Sequence, residues 1–137
     1  MTSFNILVLP GDGVGPEVTA EAVKVLRVVE YCTGITFHLT HELVGGSSYT
    51  QRGVRITREV LDLAQQTDAV LFGCEGGRVA GEKRIPGQAG AGGLLQLRKE
   101  LNLYANLRPC RFASRSLHSL SVLRPDLSEG TDIMIGR

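Results

Sequence analysis

FNILVLPGDGVGPEVTAEAVKVLRVV, residues 4–29, reads as a strand, a turn and a helix in direct succession. Phe4 to Leu9 is a short continuous apolar run stopped by Pro10-Gly11, the pattern of a strand buried on both faces. Pro16 stands where a helix begins, with Glu17 in its first turn, where an acid complements the positive end of the helix dipole. Val18, Ala22, Val25, Leu26 and Val29 follow at helical spacing, and Gly34 ends the helix.

Working outward, Ile35, Phe37 and Leu39 alternate with polar residues as a second strand, broken by Gly45-Gly46. Residues 55–66 form an amphipathic helix with Val60, Leu61 and Ala64 on one face, and residues 69–72 are a third strand. Strand, helix, strand, helix, strand predicts an α/β fold with a mostly parallel sheet and right-handed crossovers. Residues 73–93 hold 8 of the 17 glycines and read as a long loop of functional kind. Residues 94–101 form a short helix, with Leu97 and Leu101 facing the core. Residues 105–110 and 132–135 read as further strands, joined by a Ser-rich polar segment. The composition shift near Arg108 predicts two parts: residues 1–104 of a first α/β domain, and residues 105–137 opening a second, with the fold incomplete in this chain.

A chain of 137 residues is one domain's worth, and 42% apolar with 21% charged residues is a soluble globular composition. A net charge of +1 and the absence of Trp give no case for nucleic acid or a membrane surface as partner. No apolar run approaches the ~20 residues of a membrane span, and no secretory signal opens the chain. Cys32, Cys74 and Cys110 are odd in number and widely spaced, so they predict reduced, mostly buried thiols in a cytoplasmic setting. His38, His41 and His118 have no nucleophile partner at a readable spacing. Glu17 and Glu21 read as a solvated helix face, not as metal ligands.

The chemistry concentrates in GLLQLRKELNLYANLRP, residues 93–109. Arg98 and Arg108 are two guanidiniums whose planar forks match a carboxylate bidentately, so together they can hold a dicarboxylic acid. Leu94 and Leu95 add an apolar surface beside them, which suits a small-molecule diacid carrying an aliphatic branch. The competing reading is a solvated helix face, with Arg98 pairing Asn102 or a nearby acid. The loop Gly11 to Pro16 lies between strand and helix but lacks the full dinucleotide fingerprint, and Glu17 at the helix start would repel a pyrophosphate. It reads either as a turn with left-handed glycines or as one border of a ligand crevice.

LPGDGVGPEV (9–18), DAVLFG (68–73) and GLLQLRKELNLYANLRP, taken in order, resemble the isopropylmalate dehydrogenases, a branch of the metal-dependent β-decarboxylating dehydrogenases that also include isocitrate and tartrate dehydrogenases. The match covers less than half of a family member, its N-terminal part. The resemblance implies an NAD-dependent oxidative decarboxylation of a branched malate derivative, assisted by Mg2+ or Mn2+ in a homodimer, for leucine synthesis or a related chain extension. Arg98, Arg108 and Arg137 match the three arginines that hold the malate carboxylates. Leu94 and Leu95 match the pocket for the isopropyl group, and Val14 matches an aliphatic residue near the nicotinamide. Small polar residues stand near here in the isocitrate enzymes. Two leucines therefore favour an alkyl branch, at about 0.8 kcal/mol per buried methylene.

The family's tyrosine and lysine, its three metal-binding aspartates and its adenosine loop match positions beyond Arg137. The expectation is a truncated form, with no catalytic residue or metal ligand of its own and inactive alone. The alternative is a short non-catalytic homologue or binding module that associates with a full-length dehydrogenase. The apolar Ile133-Met134-Ile135 strand directly before Arg137 favours truncation, because exposed strand edges invite aggregation. Three departures stand within the matched part. Arg78-Val79-Ala80 replaces Pro-Lys-Trp, Ala91 replaces a glutamate placed near the nicotinamide ribose, and Glu75 puts a charge where the family is apolar.

Overall fold

A computed structural model describes residues 2–76, 92–112 and 114–136. The strands are β1 (Ser3–Gly11), β2 (Thr36–His41), β3 (Ala69–Cys74), β4 (Leu107–Arg111) and β5 (Asp132–Gly136). The helices are α1 (Gly15–Thr33), α2 (Gly46–Arg52), α3 (Arg58–Gln66), α4 (Gly93–Glu100) and the short α5 (Pro125–Ser128), with a 3-10 turn at Arg115–Leu120. The long glycine-rich loop expected after β3 lies mostly outside the described residues, as do Arg78-Val79-Ala80, Ala91 and Arg137.

The chain divides into two compact units, Met1–Asn102 and Leu103–Arg137. In the first, β1 is the centre of a parallel three-stranded sheet in the order β2-β1-β3. Ile6, Leu7, Val8 and Leu9 are all buried, which is why this strand reads as an unbroken apolar run and not as an alternating one. Leu7 and Leu9 enter a core with Val44, Ile56, Val60, Leu61, Ala64 and Leu97, so α3 and α4 cover that face. Ile6 and Val8 point to the opposite face of the strand, and α1 packs along all three strands. The result is an α/β sheet with parallel strands, as the alternation of elements predicts.

Two local readings change. The sequence puts Val18 and Val25 on the inner face of α1, but both are exposed, and the buried line runs through Gly15 and Thr19 instead. The reason is close backbone packing. A Cβ at Gly15 would sit 2.1 Å from the Pro10 carbonyl oxygen, so the helix enters against the end of β1 only where it is small. The second change is α2, which the Gly45-Gly46 break concealed. Its seven residues are polar and its start is set by a side chain distant in sequence, described below. Helix α3 begins where Thr57 caps it, its hydroxyl accepting from the Val60 amide at 3.4 Å. Asn102 (φ 51°), in the left-handed region that Asn tolerates, ends the first unit.

The second unit is an antiparallel β4–β5 ribbon plus the 3-10 turn and α5. Every residue of β4 and β5 described is exposed, including Leu107, Ile133, Met134 and Ile135. His118 has a partner that its sequence spacing hid. Its Nδ1 lies 2.9 Å from the Ser128 hydroxyl, and Phe112 stacks on its ring. Ser128 is fully buried, so the pair ties the 3-10 turn to α5 and offers no accessible nucleophile. The cysteines also differ from expectation: all are free thiols, but Cys32 and Cys110 are exposed, because one lies on the outer face of α1's last turn and the other on the ribbon. Among the described residues no helix is long and apolar enough to cross a membrane.

Candidate functional site

At the carboxyl ends of β1 and β3 four glycine-bearing segments meet: Gly11 to Gly13, Gly45-Gly46, Glu75-Gly76 and Gly92-Gly93. In parallel α/β sheets this is the end at which ligands bind. Gly11 (φ 76°) is left-handed, and a Cβ there would lie 2.0 Å from the Cys74 carbonyl oxygen, so two loops can close against each other only with glycine. Gly13 (φ 57°) is left-handed as well.

Asp12 joins these loops. Its amide donates to the Cys74 carbonyl at 2.7 Å. Its carboxylate accepts from the amides of Gly46 (2.6 Å), Ser47 (2.7 Å) and Gly76 (2.8 Å). Burial pushes the Asp12 carboxyl up, but the three amides and the Ser47 hydroxyl outweigh it and hold it below the ordinary carboxylate range. Gly46 and Ser47 open α2, so Asp12 supplies from far away the anion that a helix start needs.

Glu75 does the same for α4. Its carboxylate accepts from the amides of Gly93 (2.6 Å) and Leu94 (3.0 Å) and meets the Arg55 guanidinium at 3.3 Å. Arg55 and Glu75 side chains are only 11% and 13% exposed. The Arg55 carbonyl in turn accepts from the Gly45 amide at 2.7 Å. This accounts for the charge that Glu75 puts at a position expected to be apolar. The starts of α2 and α4 are thus both filled by the protein's own carboxylates.

On α4, Leu97 is 3% exposed and belongs to the core, with Leu101 packed at its edge, as the spacing predicts. The candidate contacts stand beside that face. Leu94 and Arg98 are i, i+4 neighbours, and Leu95 and Arg98 are i, i+3, so the two leucines flank one guanidinium on the helix surface. Leu95 is 51% exposed, and Leu94 and Arg98 are half-buried. Among the described residues Arg98 makes no ion pair or side-chain hydrogen bond, Asn102 included. Its neighbour Glu100 is engaged, pairing with Arg58 at 2.6 Å and accepting from Gln65 at 3.3 Å.

Val14 stands exposed (54%) at the N-cap of α1, on the rim of the same loop cluster. Arg108 belongs to the second unit, on β4, where it is exposed and donates from Nε to Asn106 at 3.2 Å. The described residues contain no group of three or more His, Cys, Asp or Glu arranged to hold a metal ion. Asp12 and Glu75 are the site residues that sequence reasoning missed. Only Glu75 left a signal, its charge in an apolar position, since a carboxylate that caps a helix distant in sequence has no local spacing.

The family model described as isocitrate/isopropylmalate dehydrogenase matches residues 5–137. The 3-isopropylmalate dehydrogenase of Pichia angusta is 49% identical over 135 residues, covering 98% of this chain and 36% of that protein. That of Carboxydothermus hydrogenoformans is 46% identical over 134 residues, again 98% of this chain and 36% of the relative. Among solved structures, the β-decarboxylating dehydrogenase of Thermococcus kodakarensis superposes with a TM-score of 0.68 at 33% identity, over 98% of this chain and 33% of that one. The chain therefore spans about a third of the length of the proteins it matches.

Proposed function

This chain belongs to the isocitrate/isopropylmalate dehydrogenase family, and we propose that, within a polypeptide of its relatives' length, it forms the substrate-facing part of a 3-isopropylmalate dehydrogenase. The observation that carries the choice of substrate is the surface of α4, where Leu94 and Leu95 flank Arg98, which has no partner among the described residues. An alkyl branch lies against the leucines, while the guanidinium grips a carboxylate of the malate frame. Arg108 and Arg137 hold the remaining carboxylate oxygens, and Val14 lies against the nicotinamide.

In the reaction a secondary alcohol loses hydride and its hydroxyl proton to become a ketone, and the β-carboxylate then leaves as carbon dioxide, the enolate that remains taking up a proton. NAD, when bound, would supply the hydride acceptor, and a divalent cation, Mg2+ or Mn2+, would supply the Lewis acid. The described residues do not supply a ligand set for that cation. Their own work is binding and orientation: fixing the carboxylates, shielding the alkyl branch from water and setting the helix that bears both contacts. We place the complete enzyme in the cytoplasm as a homodimer, serving leucine synthesis or a related chain extension.

Substitution of both leucines by serine in the complete enzyme tests the substrate. An isopropyl group buried at about 0.8 kcal/mol per carbon predicts a fall of roughly tenfold or more in kcat/KM for 3-isopropylmalate. An unchanged kcat/KM would rule out the assigned pocket.

A further inference from the structure

Gly92 poses a question that its backbone does not answer. Its φ of −66° and ψ of 161° are open to any residue, so no turn demands glycine. Space does. A Cβ at Gly92 would lie 2.5 Å from Glu75 Oε2 and 2.7 Å from Oε1, in the place the carboxylate occupies. Gly92 is also the N-cap of α4 and has no side chain with which to cap it. The helix thus lacks a local cap and receives one from Glu75, which satisfies the first two amides of α4 through Gly93 and Leu94. Arg55 pins the same carboxylate from the other side and reaches the Gly76 carbonyl at 3.5 Å, fixing the loop after β3 on which Glu75 stands. Gly93, next in line, is buried with no room for a Cβ, which would sit 2.6 Å from Val44 Cγ2. Helix α4 is held at its start by the Glu75 carboxylate and by close packing at Gly93.

We propose that Glu75 and Gly92 act as a lock that positions α4, with Glu75 the positioning residue that fixes where Leu94, Leu95 and Arg98 stand. The lock rests on the geometry alone. Its consequence for ligand binding rests on the reading of α4 as the substrate-facing helix. The carboxylate does not touch the ligand. It sets the first turn of the helix, and the bearing of the leucine pair and Arg98 follows from that turn.

The test uses amide-resolved NMR and hydrogen exchange on the 137-residue chain. In Glu75→Gln the Gly93 and Leu94 amide signals should shift together, because both donate to the carboxylate. The Gly46 and Ser47 amides, which donate to Asp12, should stay where they are in that variant. Glu75→Gln and Gly92→Ala should each raise exchange at Gly93 and Leu94 about tenfold or more, the loss of one charge-assisted bond, with Leu61 in α3 unchanged. Gly92→Ala is the sharper variant, since it expels the carboxylate without altering it. Gly93 and Leu94 signals unmoved in Glu75→Gln, or exchange unchanged in both variants, would overturn the lock. In the complete enzyme, with 3-isopropylmalate as the probe, Glu75→Gln should weaken binding several-fold, and an equal Kd would overturn the positioning role. If the unaltered complete enzyme shows no response to 3-isopropylmalate, the functional reading and the positioning role for that ligand both fail, while the amide data still decide the lock.

Discussion

Replacing Asp12 by alanine removes the acceptor of three backbone amides at once, from Gly46, Ser47 and Gly76. All three bonds are short, 2.6 to 2.8 Å, as charge-assisted bonds are. A bond to a charged group contributes about 1.5–3 kcal/mol, and a buried amide left without a partner costs about 1–3 kcal/mol. The three share one carboxylate and are not additive, so the expected loss is about 3–5 kcal/mol of unfolding free energy near neutral pH. The dependence on pH separates this cause from a packing defect. The folded carboxyl is held below its ordinary value of 3.8. Its contribution is therefore fully present above that value and is lost as pH falls through the lower, folded one. Urea denaturation of both proteins at a series of pH values is the assay. The gap between them should be constant from neutral pH down to about 5 and should narrow below 4. A loss under about 1 kcal/mol, or a gap indifferent to acid, would refute the reasoning.

Leu97 fills the junction of α4 with the sheet core, so Leu97→Ala should cost about 2–5 kcal/mol in the same denaturation assay, and a cost below 1 would mean that α4 is not anchored there. Thr57→Ala removes the cap of α3 and should cost about 1 kcal/mol, read as a shift in urea midpoint, with Thr57→Ser restoring most of it. In the complete enzyme Arg108→Lys should lose one bidentate carboxylate contact, about 1.5–3 kcal/mol in kcat/KM, and unchanged kinetics would remove Arg108 from the site.

The elements most legible in the sequence were those whose information is local. β1 declared itself as an unbroken apolar run because both its faces are buried, and α3 because Val60, Leu61 and Ala64 share one face. Leu97 and Leu101 on α4 were readable for the same reason. The inner face of α1 was misread because it is defined by what is absent. Gly15 and Thr19 pack against backbone, and hydrophobic periodicity cannot register a contact made by having no side chain. Helix α2 was hidden because Asp12, 34 positions before Gly46, sets its start. The resemblance pointed to Arg98 and its leucines. It marked Glu75 only as a charge in an apolar position, and not its role, because its partners Arg55, Gly92 and Gly93 lie 17 or more positions away and meet only in the folded chain.

The central claim, that this chain carries the malate-gripping and alkyl-binding surface of a 3-isopropylmalate dehydrogenase, is tested most directly on the native polypeptide. It would be captured from its source with an antibody to residues 105–116 and assayed for NAD reduction with magnesium. The account predicts turnover of 3-isopropylmalate with a kcat/KM well above that for isocitrate. A preference for isocitrate, or no reduction with either acid, would contradict it.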